Sequence, residues 1–169
     1  MPEMIGPFTK DEMLQILARQ TEAGNALVTA GLVEDWLAKL LLAAGRELTN
    51  GEAIRFFGAM GPLGTFSAKI EIAYMFDLIE KQVRDDLRLI KGIRNNFAHT
   101  TRFVSFGSDH IAKDCRKLSN WTEGANNEEC YRDKAFECVN LIKAKMDELM
   151  HAKALRDEPV VALDDEDED

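Results

Sequence analysis

No stretch of these 169 residues approaches the roughly 18 apolar residues that a membrane-spanning helix needs. The opening MPEMIGPFTKDEM also lacks a basic segment followed by a long apolar core, so a soluble, cytoplasmic protein without membrane contact is expected. Cysteine is scarce: Cys115, Cys130 and Cys138 are odd in number and without CxxC spacing, and His110 and His151 form no ligand pattern with them. That argues against a disulfide framework or a zinc site and for buried, reduced thiols. Glu128, Glu129 and Asp133 have no spacing with His110 that fixes a metal, and neither metal nor cofactor is expected. The glycines of Gly58-Ala59-Met60-Gly61-Pro62-Leu63-Gly64 are interrupted by proline, follow no strand and precede no GKS or GKT; they read as a tight packing turn, not a phosphate loop. No Ser-His-Asp order or nucleophile elbow supports acyl transfer. No internal repeat is present.

What the chain does have is 46% apolar residues, enough for one domain with a sizeable core. The net charge of −9 is concentrated at one end: Asp157 to Asp169 holds eight acids and no Lys or Arg, leaving 21 basic against 22 acidic residues in 1–156. A nearly neutral body argues against a broad nucleic-acid footprint, and no helix-turn-helix or basic arm is evident, so specific DNA binding is disfavoured. The organisation expected is a helical domain over 1–156 followed by a disordered acidic tail over 157–169.

Spacings of 3 and 4 recur with capping signals while strand alternation is nearly absent, so the expected class is all-α, a single-domain multi-helix bundle. Thr9 caps a first helix carrying Met13, Leu14, Ile16 and Leu17 and ending before Gly24. A longer helix follows over Asn25 to Ala44, its face marked by Thr29, Val33, Trp36 and Leu40. The succession Leu40-Leu41-Leu42 suggests burial on more than one side. Thr49 or Asn50 caps a short helix to Phe57, and Thr65 or Ser67 caps another reaching about Ile79. Thr100 to Gly107 reads as an extended loop over the core. Ser108 or Asp109 caps a helix over Ile111 to Leu118, and a last helix runs from about Asn127 to Leu155 with Phe136, Val139, Ile142, Met146 and Leu149 as its buried stripe.

The segment Val83 to Thr100, VRDDLRLIKGIRNNFAHT, concentrates chemistry on a helix. Val83, Leu87, Ile90, Arg94 and Phe97 share a face, which puts a guanidinium inside an apolar stripe. Such a group needs a carboxylate or carbonyl partner, or a cleft to line, and Glu34, Asp35 and Asp77 are candidate partners. Arg84, Arg88, Lys91 and Asn95 form an adjacent polar row, with His99 four residues on, that could line a groove for an anion. Gly92 would let another backbone approach. Asn95 and His99 could equally be a hydrogen-bonded i,i+4 pair.

The strings Gly61-Pro62-Leu63-Gly64-Thr65-Phe66-Ser67-Ala68-Lys69-Ile70, Asp86-Leu87-Arg88-Leu89-Ile90-Lys91 and Ile93-Arg94-Asn95-Asn96-Phe97-Ala98-His99 resemble the bacterial mannitol operon repressor family, over about half the chain. That resemblance implies an all-helical transcriptional regulator with no recognised DNA-binding motif, acting through a protein partner or as a homodimer. The same RNNFAH also looks like the R-x4-6-H signature of HEPN domains, helical bundles that often act as metal-independent ribonucleases with the active site between two protomers. On that resemblance Arg94 would hold a phosphate, Asn95 would orient it and His99 would act as general acid or base on RNA. Histidine's ordinary pKa near neutrality suits that role. Five residues on a continuous helix separate Arg94 and His99 by about 140°, so they converge only if the helix ends near Ala98 or across a dimer.

Overall fold

The computed structural model describes residues 10–99 and 103–157, with side chains over 21–99 and 103–156. The described residues form six helices: α1 (Lys10–Ala44), α2 (Asn50–Phe57), α3 (Phe66–Met75), α4 (Lys81–His99), α5 (Asp109–Cys115) and α6 (Asn127–Asp157). The class is all-α, with no strand among the described residues. The cap expected at Thr9 and the acidic tail beyond Asp157 lie outside them, as do Thr100 to Arg102.

The expected break at Gly24 does not occur; α1 is one helix of 35 residues. A mid-helix glycine costs about 1 kcal/mol relative to alanine, and packing against α6 along the bundle offsets that. Ala26, Ala30, Val33, Leu37 and Leu40, at spacings of 4, 3, 4 and 3, form the buried side of α1. Thr29 and Trp36 are only half-buried and Leu42 is exposed, so α1 buries one face rather than several. Facing it on α6 are Tyr131, Ala135, Cys138, Val139 and Ile142. Phe136 leaves the expected stripe and is 47% exposed, because Ala135 takes the core-facing position beside it.

Helix α4 touches α1, α3, α5 and α6 and is the central element. Its buried line is Val83, Asp86, Leu87, Ile90, Ile93 and Phe97. Phe97 meets Phe106 at 4.9 Å between ring centroids, and Phe106 meets Tyr131 at 5.3 Å. Phe106 is thus the residue by which the loop before α5 closes over the core, and its backbone is held on both sides. Its N–H donates to Glu22 (2.8 Å), and its carbonyl accepts from Asn127 (3.0 Å).

The connections follow local chemistry. Thr49 and Glu52 form a reciprocal capping box at the start of α2. In the turn Gly58–Gly64, a β-carbon on Gly61 would fall on the carbonyl oxygens of Arg55 and Phe56, and one on Gly64 on that of Gly58, so the turn packs backbone on backbone. Thr65 caps α3 through the N–H of Ala68. Helix α3 stops at Met75 rather than Ile79. Asp77 takes φ 56°, the Leu78 N–H returns to the Ala73 carbonyl and the Asp77 N–H to that of Tyr74, a left-handed cap that swings Leu78 and Ile79 into the core. Ser108 precedes α5 without capping it by its side chain; its hydroxyl accepts from the Ser105 N–H instead.

Candidate functional site along helix α4

The basic row Arg84, Arg88 and Lys91 faces α3, and α3 answers it. Arg84 donates to Glu71 Oε2 through Nε (3.1 Å) and Nη2 (2.9 Å); Arg88 donates through Nε to Oε1 (2.7 Å) and through Nη2 to Oε2 (2.8 Å). One carboxylate therefore takes a fork from each of two guanidinium groups. The Arg88 hydrogen bonds, with a smaller contribution from Arg84, hold the Glu71 carboxyl below the ordinary carboxylate range. Arg84 also lies over the Tyr74 ring, 4.3 Å from its centroid. Lys91 donates to the Ser67 hydroxyl (2.6 Å). All three expected anion ligands are engaged in joining α4 to α3.

Arg94, Asn95 and His99 occupy the last two turns of the same helix. Arg94 is half-buried: its stem follows the apolar line, while Nη1 reaches out to Asn95 Oδ1 at 3.0 Å. None of the three acids considered for it is its partner. Glu34 binds Lys69 (2.7 Å), Asp35 binds Lys39 (2.7 Å), and Asp77 lies in the turn after α3 rather than on a helical face. Among the described residues no carboxylate pairs with Arg94. His99 is exposed, and no hydrogen bond joins it to Asn95 among the described residues. Because α4 continues to His99, Arg94 and His99 point about 140° apart and some 7.5 Å apart along the axis, and do not converge within one chain. Gly92 admits no close neighbour: a β-carbon there would meet nothing within 4 Å.

Three buried ionic residues went unread in the sequence. Asp86, 2% exposed, accepts from the Ser119 N–H (2.9 Å) and hydroxyl (2.6 Å) and faces Lys134 Nζ at 3.8 Å. Lys134, 4% exposed, also donates to Glu137 at 2.6 Å. Asp86 thereby ties α4 to the loop after α5 and to α6. Lys69, nearly as buried, makes its pair with Glu34 from α3 to α1. A signal for Asp86 was available: 83, 86, 90, 93 and 97 run at spacings of 3, 4, 3 and 4, a line that shares Val83, Ile90 and Phe97 with the stripe through Arg94.

The three cysteines are free and buried, as expected. Burial pushes the thiols of Cys115 and Cys138 up to about 12 and raises that of Cys130, which suits them to packing rather than nucleophilic chemistry. Among the described residues no group of three His, Cys, Asp or Glu side chains could hold a metal, and no helix is long and apolar enough to cross a membrane.

No family model and no curated protein matches the chain. Among solved structures, a chain in the X-ray structure of the MtlR-HPr complex from Escherichia coli aligns with a TM-score of 0.53 and 18% identity, over 72% of this chain and 87% of that one. The two share a fold.

Proposed function

We propose that this protein is a mannitol-repressor-like transcriptional regulator that acts through protein–protein contacts. The observation that carries this reading is the pairing of Arg84, Arg88 and Lys91 with Glu71 and Ser67, which removes the basic row of α4 as a ready phosphate-binding surface. A face suited to protein contact exists elsewhere. Val28 (75% exposed) on α1 and Phe136 on α6 line a shallow cavity of about 180 Å³, with Asn25, Glu128 and Arg132 at its polar edge. Apolar residues ringed by polar ones are the usual anatomy of such a surface.

The solved chain of like fold is in complex with HPr, and HPr is the partner to test first. Titration calorimetry with HPr should give saturable binding that Val28→Asp with Phe136→Asp abolishes and Arg84→Ala leaves intact. Absence of binding, together with a promoter shift at nanomolar protein that collapses steeply with salt, would replace this reading with direct DNA binding.

A second reading, a HEPN-type endoribonuclease or RNA-binding protein, is favoured by one feature: Arg94 has no carboxylate partner among the described residues and His99 is exposed. Since the two side chains diverge on one helix, this reading requires a homodimer in which Arg94 and Asn95 of one protomer face His99 of the other. It predicts RNA cleavage in EDTA that is lost in both Arg94→Ala and His99→Ala with folding intact. Cleavage surviving either change would remove the trio from the chemistry.

A further inference from the structure

An apolar cavity of about 300 Å³ is lined by Leu41 and Ala44 at the end of α1, Leu63 from the glycine turn, Ile72 and Phe76 from α3 and its cap, and Leu149 on α6. Beside it, Phe76 is 63% and Met75 64% exposed, a large apolar area left in water. No ionisable side chain lines the cavity, so an occupant would be recognised by shape and apolar surface.

The end of α6 is anchored near this cavity. Lys153 Nζ donates to the carbonyls of Ala43 (2.5 Å) and Gly45 (2.9 Å), fixing α6 against the C-terminus of α1 one turn before Asp157. The sequence then reads Glu158-Pro159-Val160-Val161-Ala162-Leu163, followed by six acids from Asp164 to Asp169. Proline lacks the N–H for a helical bond and disfavours helical backbone at the residue before it, so Glu158-Pro159 is a helix-stop signal in the sequence. From Asp157 back to Leu149 is eight residues of helix, about 12 Å. The six residues to Leu163 span up to about 20 Å when extended, enough to return. Arg46, which follows Gly45 at the cavity edge, and Arg55, next to the Phe56 carbonyl that accepts from the Leu63 N–H, are exposed and have no acidic partner among the described residues.

We propose that Val160–Leu163 of the same chain folds back into this cavity, its apolar side chains against Leu41, Ile72 and Leu149, with the acids of Asp164–Asp169 drawn over Arg46 and Arg55. Length, apolar-then-acidic order, and the site at which α6 is anchored all match this one occupant. The segment then acts as an intramolecular plug, and any partner that uses the cavity must displace it.

The test is methyl-resolved NMR on the full chain, with naphthalene-sulfonate dye binding as a second readout. Methyl cross-peaks from Val160, Val161 and Leu163 to Leu41, Ile72 and Leu149 are expected. Val161→Asp with Leu163→Asp, changes outside the six helices, should abolish them and raise dye fluorescence several-fold with far-UV helicity unchanged. Tail methyls at unstructured shifts without cross-peaks, and equal dye binding by wild type and variant, would overturn the proposal. So would cross-peaks that arise between differently labelled chains, which would assign the cavity to the tail of a second copy.

Discussion

Arg84 and Arg88 both end on the Glu71 carboxylate, whereas Arg94, further along the same helix, meets the amide of its neighbour Asn95 and no carboxylate among the described residues. The difference lies in what runs beside each half of α4. Helix α3 is short; it supplies Glu71 to the first half and, one residue inside its own start, Ser67 to Lys91. Upstream of Thr65 the chain turns away through the glycine turn, so α3 has no residue left to offer Arg94 or His99. The first half of α4 is therefore a structural seam, while in the last two turns Arg94 has no acidic partner among the described residues.

Changes in α4 can break or sharpen this contrast. The largest effect is expected at Asp86→Ala, which leaves Lys134 with Glu137 as its remaining carboxylate and strips Ser119 of two hydrogen bonds. Leaving a buried charge uncompensated costs about 3–5 kcal/mol; with Glu137 still on Lys134 the loss should fall at the low end of that range, read as a drop in the urea midpoint. Gly92→Ala, between the two halves, should raise stability by about 1 kcal/mol, since a β-carbon there meets nothing; a loss would mean that a partner chain packs on that turn.

Glu71→Gln should cost less than about 1 kcal/mol, because the carboxylate is partly exposed and its pairs are screened. It should at the same time raise affinity for polyanions by releasing Arg84 and Arg88. The pH dependence has a definite sign. The folded-state pKa of Glu71 is lowered, so its contribution is fully present above its unfolded value, about 4.3, and is lost as pH falls through the folded value. Wild type and Glu71→Gln should therefore converge in stability in acid and separate toward neutrality. The smallest effect, within about 0.5 kcal/mol by thermal unfolding, is expected for Arg94→Ala. A loss of several kcal/mol would put Arg94 back among the buried ion pairs.

Much of this fold was legible in the sequence because helical period and capping are local. The Thr49–Glu52 box, the Thr65 cap, the backbone packing of Gly61 and Gly64 and the run of α4 follow from neighbouring residues. Partner choice was not local. Arg94 lay on the predicted stripe and Asp86 did not, yet the acid is sealed within the bundle while the guanidinium is half-buried, because α5, α6 and the loop between them enclose Asp86. Glu34 was a reasonable partner for Arg94 until packing brought Lys69 to it. Phe136 shows the same limit: a helix wide enough to offer either Ala135 or Phe136 to the core is resolved only by the neighbour that needs a small residue there.

The sequence by itself determined that this protein is helical, where most helices begin, and that chemistry-bearing side chains gather on α4. Tertiary structure alone decided which of those charges are spent on one another. A helical period assigns a residue to a face, but the dielectric and the partner it meets there depend on elements tens of residues away.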